Sequence, residues 1–321
     1  MQLPTIEDVR AAADRIAGVA VRTPLLRSDA LDTAAGGRVF LKAECLQRTG
    51  SFKFRGAYNR LAAMDDTQRE AGVVAFSSGN HAQGIARAAR LLDVRAAIVM
   101  PRDAPAMKLA RTQADGAEIV LYDRATQSRE EIAVALAEER GATLVPSFDD
   151  PFIVAGQGTA GLEAAAQLDA LGLTADIAIV CCGGGGLSSG ISLAMPGIEL
   201  VLAEPAGWDD AGRSLRSGEI AMVDDPPPTR CDALQTFRIA PLTFAMLRNA
   251  DARGVAVTET AVERAMRHAF AELKLVVEPG GAAALAAVLG GAVDLCGRTA
   301  LVTLSGGNVD ADQFREILAS E

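Results

Sequence analysis

Short apolar runs alternate with helical stretches along most of the chain. Residues 72–76 (GVVAF) form an apolar run that stops at Ser77-Ser78-Gly79-Asn80, and an Ala-rich helical stretch follows to residue 92. Residues 94–100 read as a second buried strand closed by Pro101, 106–114 as a helix and 117–121 as a third strand; 126–140 read as a helix and 143–145 as a fourth strand. The second half repeats the logic. A helix is predicted over 159–171, a strand over 176–182 (DIAIVCC), a helix over 187–194 and a strand over 199–203. Thr260-x-x-Glu263 reads as a capping box that opens a helix to about 275, followed by a helix over 281–289 and a strand over 298–304. Apolar strands separated by helices predict parallel, helix-covered sheets, here two in one chain and therefore two α/β lobes. The run Pro226-Pro227-Pro228 reads as a rigid surface connector. Ligands of such sheets sit beyond the carboxyl ends of strands, so the residues that directly follow strands are the candidates for chemistry.

Four such segments stand out. Cys182-Gly183-Gly184-Gly185-Gly186-Leu187 follows a strand and opens a helix. Its bare backbone N–H groups and the helix N-terminus favour a phosphate; a merely flexible turn would lose much entropy at four glycines. The strict G-x-G-x-x-G spacing fails, because Ser188 and Ser189 occupy the candidate third positions. Glu204 nevertheless ends the next strand, where a ribose-binding acid would sit, so a nicotinamide nucleotide stays open at this point. Lys53 lies between Phe52 and Phe54, after a predicted helix cap at Ser51. A lone lysine is ordinarily a solvated charge, but apolar surroundings lower an amine's pKa and suit it to carbonyl chemistry. Ser77-Ser78-Gly79-Asn80-His81 gathers hydroxyls, an amide and free N–H groups suited to a carboxylate; its plainer reading is an N-cap at Ser78 or Asn80. Leu304-Ser305-Gly306-Gly307-Asn308, alone, is an ordinary turn.

Composition narrows the field. A formal charge of −10 argues against nucleic acid. The five cysteines contain no C-x-x-C pair, which reads as reduced thiols in a cytoplasm. Two histidines, His81 and His268, exclude a zinc hydrolase built on several. No uncharged apolar run reaches the length of a membrane span.

In the order S-F-K-x-R-G, S-S-G-N-H, G-G-G-G, S-G-G-N, the four segments resemble the fold-type II pyridoxal-phosphate (PLP) enzymes, and within them the branch of serine/threonine dehydratases and serine racemase. Ala155-Gly156-Gln157-Gly158-Thr159 and Glu278-Pro279-Gly280-Gly281 extend the resemblance over nearly the whole chain. The resemblance implies a two-lobed architecture like the tryptophan synthase β chain. Residues 1–69 and 150–321 would form the large PLP-binding domain and 70–149 a small mobile one.

It also implies roles. Lys53 would hold PLP and act as the base at Cα. Gly183, Gly184, Gly185, Gly186 and Leu187 would cradle its phosphate. Phe52 would pack beside the ring, Asn80 would bind its hydroxyl and Ser305 its nitrogen. The substrate carboxylate would bind Ser77, Ser78, Gly79, Asn80 and His81, with Ser78 across the cofactor from Lys53 and Arg129 near the substrate. Glu204, the Trp208 carbonyl and Asp210 would hold Mg²⁺, Mn²⁺ or Ca²⁺, an oxygen-only set suited to a hard cation. This reading takes Glu204 away from the nicotinamide alternative. At Cys231-Asp232-Ala233-Leu234 the chain departs from the pattern, with alanine where relatives commonly have glycine. The implied activity is dehydration of L-threonine, L-serine or a similar 3-hydroxy-amino acid to a 2-keto acid and ammonia, in a homodimer. Serine racemisation, or dehydration of 3-hydroxyaspartate or phenylserine, are the alternatives.

Overall fold

The computed structural model describes residues 2–77, 79–104 and 106–320. In chain order its strands are β1 (Leu25–Arg27), β2 (Arg38–Lys42), β3 (Val73–Phe76), β4 (Ala96–Pro101), β5 (Glu118–Tyr122), β6 (Thr143–Leu144), β7 (Ile177–Cys181), β8 (Glu199–Pro205), β9 (Arg253–Val257) and β10 (Thr299–Thr303). They form a six-stranded sheet in the order β1-β2-β10-β7-β8-β9 and a four-stranded sheet in the order β5-β4-β3-β6. The pairings are parallel except β1 on β2, which is antiparallel. The larger sheet therefore departs from the all-parallel expectation at one edge, where a short connection between adjacent strands suffices.

Every residue of β7 and β10 is buried, as a strand covered on both faces requires. The helix Pro279–Leu289 carries no polar face and is buried from Pro279 to Val288. It packs in one core with Val39 and Leu41 of β2, Ile177 and Ile179 of β7 and Val302 of β10. A second core joins Phe54, Ile85, Ile98 and Ile153, and so ties the smaller sheet to the helices beside it.

The helix Pro151–Asp169 begins ahead of the predicted residue 159. Asp150 caps it by accepting from the Ile153 N–H at 2.9 Å, and Pro151 sits where its missing N–H costs nothing. The glycines in this helix serve a close crossing. A Cβ on Gly156 would lie 2.6 Å from the Cα of Gly56 in the helix Lys53–Ala62. Lys53 thus starts a helix pressed directly onto a buried neighbour. The helix Glu259–Leu273 is capped by Thr258, which accepts from Ala261 N–H, rather than by the predicted Thr260. No helix among the described residues is long and apolar enough to cross a membrane.

Candidate active site

Residues that follow β3, β6, β7 and β10 line one cavity of about 430 Å³. This is the place the strand-end rule marks out, at the meeting of the two sheets. Lys53 enters it from the first turn of its helix. The N-cap position is Phe52, and the Ser51 hydroxyl has no hydrogen-bond partner among the described residues, so the predicted Ser51 cap is not made. The Lys53 Nζ donates to the Ser147 carbonyl at 2.9 Å and lies 5.1 Å from the centre of the Phe52 ring. Among the described residues no carboxylate pairs with it, and burial brings its pKa down to about 8. The chain has four lysines. Lys42 is bound to Glu163 at 2.8 Å, and Lys274 closes the helix Glu259–Leu273 at the surface. Of the lysines whose side chains are described, Lys53 alone lines the cavity.

Opposite stands the glycine loop. The helix Gly186–Ala194 has Gly185 at its N-cap with φ 83°, a conformation that L side chains resist. A Cβ on Gly184 would fall 2.2 Å from the Phe148 ring. Backbone therefore takes the place of side chains here, and the free N–H groups of the helix start lie at the cavity wall with Gly183, Gly184, Gly185, Gly186 and Leu187.

Asn80 opens the helix Asn80–Leu92 behind Gly79, which is the N-cap in place of either predicted residue. Its amide is oriented from both sides. Nδ2 donates to Glu278 Oε1 at 2.5 Å, and Oδ1 accepts from Asn308 Nδ2 at 2.7 Å. His81 donates through Nε2 to the Val145 carbonyl at 3.0 Å, while its Nδ1 is buried without a partner among the described residues. Burial first, and then the positive charge of Lys53, bring its pKa down to about 3, so the ring is neutral. The Ser77 hydroxyl accepts from Gly79 N–H at 3.2 Å. Ser305 is buried at the end of β10, and its carbonyl accepts from Phe52 N–H at 3.1 Å. Ser77, Gly79, Asn80, His81 and Ser305 all reach the cavity, whereas Ser78 lies outside the described residues. Arg129 reaches the same cavity, with its Nε bonded to Glu130 at 2.8 Å and its guanidinium 5.7 Å from the centre of the Phe76 ring.

Several lining residues were not singled out from sequence: Ser147, Phe148, Asp149, Thr236 and Arg238. The first three follow β6, so the strand-end rule would have found them. The segment that carries Thr236 and Arg238 follows no strand and left no such signal. Ala233 lines the cavity, as the departure from the family pattern suggested, and it packs toward Gly280.

Glu204, Trp208 and Asp210 lie elsewhere, beside the start of the helix Asp210–Ser217. The two oxygens of Glu204 accept from the N–H groups of Ala211 and Gly212 at 2.9 and 2.8 Å, which occupies the acid proposed for a ribose. Burial, then the neighbouring Asp210, raises its pKa well above the carboxylate range. Asp210 is pushed up to about 7, above all by burial. Trp208 is buried, and its indole N–H donates to the Pro227 carbonyl at 2.9 Å. Among the described residues no group of three or more His, Cys, Asp or Glu side chains could hold a metal ion.

A cavity that joins a lysine of lowered pKa to a bare-backbone anion site, on two α/β sheets, is what a phosphorylated aldehyde cofactor requires. The chain belongs to the pyridoxal-phosphate dependent enzyme family, whose pattern it matches over residues 16–306. It is 46% identical over 325 residues to L-threo-3-hydroxyaspartate ammonia-lyase of a Pseudomonas species, covering 99% of each chain. It is 40% identical to the enzyme of that name from Saccharomyces cerevisiae, covering 100% of this chain and 98% of the relative. Among solved structures it is similar to maize serine racemase, with a TM-score of 0.92 and 36% identity over 98% of this chain and 97% of that one.

Proposed function

We infer that this protein is a PLP-dependent ammonia-lyase that converts a 3-hydroxy-amino acid to a 2-keto acid and ammonia. The observation that carries this reading is the Lys53 amine, depressed to about 8 by burial and with no acid partner among the described residues, in the cavity of the Gly183–Gly186 loop. The residues fit the cofactor: a side chain on Gly184 would meet Phe148, so the wall is kept as bare backbone.

When bound, PLP supplies an electron sink for the pair left at the substrate Cα. Lys53 would hold it, and the same amine, once released by the incoming substrate amine, would take the Cα proton, a task that suits a pKa near neutrality. The glycine loop receives the phosphate. Asn80, fixed by Glu278 and Asn308, presents its amide to the ring hydroxyl. Ser305 would offer the ring nitrogen a neutral partner, which suits a reaction in which the β-hydroxyl leaves promptly. Ser77 and residues 79–81 would receive the α-carboxylate. Residues 70–149, which carry the smaller sheet, form the lobe that closes over substrate and excludes water.

A divalent cation fits Glu204, the Trp208 carbonyl and Asp210. Both Asp210 oxygens are buried without a hydrogen-bond partner among the described residues, next to a second buried acid; a hard cation would relieve both.

Substrate assignment rests on the two 3-hydroxyaspartate ammonia-lyase relatives. Keto-acid release is measured across L-serine, L-threonine and L-threo-3-hydroxyaspartate; release from none of them overturns the reading. The maize relative keeps a racemase reading in view, and chiral analysis of recovered serine separates the two.

A further inference from the structure

We propose that Arg238 is the residue that selects a dicarboxylic substrate, by receiving the carboxylate on the substrate's β-carbon. This rests on the ammonia-lyase reading and adds the recognition element that reading lacks. A 3-hydroxy-amino acid with a second carboxylate brings one more negative charge than serine or threonine into the cavity. Glu130, Asp149, Asp232 and Glu278 already line it, so that charge needs a cation in return.

Three cations line the described part of the cavity: Lys53, Arg129 and Arg238. Lys53 is committed to the cofactor. Arg129 shares its charge with Glu130 at 2.8 Å and rests on Phe76. Arg238 has no hydrogen bond or ion pair among the described residues and is exposed. Its place in the wall is nonetheless fixed. On one side the Phe237 carbonyl accepts from Val223 N–H at 2.8 Å, and the Phe237 ring lies 5.5 Å from Trp208. On the other side Ile239 is fully buried. An unpaired guanidinium on an anchored backbone is a ready fork for a carboxylate, which it can bind through two parallel N–H donors.

The test compares Arg238→Gln and Arg238→Lys with the parent holoenzyme on L-threo-3-hydroxyaspartate and L-threonine. Arg238→Gln should lower kcat/KM for 3-hydroxyaspartate by about 10- to 100-fold, mainly through KM, and change L-threonine by less than about 3-fold. Arg238→Lys should recover part of the loss, since it restores charge without the fork. A second arm is independent of turnover. Binding of succinate, which shares the substrate's carbon chain and both carboxylates, is compared with that of butyrate through the fluorescence of Trp208, the single tryptophan. Succinate should bind the parent at least about 10-fold more tightly than butyrate, and Arg238→Gln should remove most of that preference. Equal losses on both amino acids, or an unchanged succinate preference in Arg238→Gln, would overturn the proposal. Turnover of both amino acids with no selective effect of the substitution sinks the role of Arg238 alone. Absence of keto acid from every hydroxy-amino acid sinks the ammonia-lyase reading, and the succinate arm still decides whether Arg238 binds a second carboxylate.

Discussion

Lys53, half-buried, and His81, buried, are two bases on one cavity, and loss of solvent acts on them differently. Lys53 has only burial acting on it, and its pKa falls to about 8 from the ordinary 10.5. Covalent capture of PLP needs the neutral amine, so its rate in the apoprotein should rise with pH and level off with a midpoint near 8. A midpoint above 10 would mean that the amine is solvated. His81 is held at about 3 against an ordinary 6.5, by burial and by the charge of Lys53. The unfolded chain takes up this proton first as pH falls. The stability tied to neutral His81 is therefore present above about 6.5 and is lost as pH falls toward 3. His81→Asn should flatten the loss of stability between those values in acid unfolding curves. A mutant with the parent's acid limb would show that other groups set it.

At the scale of elements, the strands with continuous apolar runs were legible, since β7 and β10 needed nothing beyond their own residues to declare them. So were the polar segments at their ends, because a strand end in a parallel sheet is a functional address. The strands β1, β2 and β9 were missed; β1 and β9 are edge strands, only partly buried and without a repeating pattern, and β2 is a short buried run flanked by Arg38 and Lys42. The misplaced caps have a related cause. Thr258 and Thr260 are chemically equivalent, and the fold chose the one whose hydroxyl meets Ala261 N–H. The role of Gly56 and Gly156 was out of reach, because it depends on two helices far apart in sequence touching backbone to backbone. The glycine loop makes a sharper prediction. Gly184→Ala puts a methyl into the Phe148 ring and should weaken PLP binding by at least about 10-fold, and Phe148→Ala in the same chain should restore part of it. Equal PLP affinity in Gly184→Ala and the parent would show that the loop has room to spare.

Across the whole molecule, a buried ionic network joins the segments that hold the Lys53 helix in place. Arg55 binds Glu44 at 2.7 Å and Glu163 at 2.7 Å, and Lys42 binds Glu163 at 2.8 Å. The charges balance in pairs. Replacing Arg55 with methionine leaves two acids facing one lysine and should cost roughly 3–5 kcal/mol of unfolding free energy in denaturant titration. A loss under about 1 kcal/mol would mean that water or a proton takes its place. This network could not be read from sequence, where Lys42, Glu44, Arg55 and Glu163 are scattered charges of the usual solvated kind. Beside β8, Mg²⁺, Mn²⁺ or Ca²⁺ should raise the melting temperature, and Asp210→Asn should abolish the increase; an equal increase in the variant would place the ion elsewhere. The proposed chemistry depends on one bond between cofactor and chain. The purified protein is reduced with borohydride and its peptides are mapped for pyridoxyl-lysine. The label should fall on Lys53 alone; a label on Lys42, Lys108 or Lys274 instead, or none at all, would contradict it.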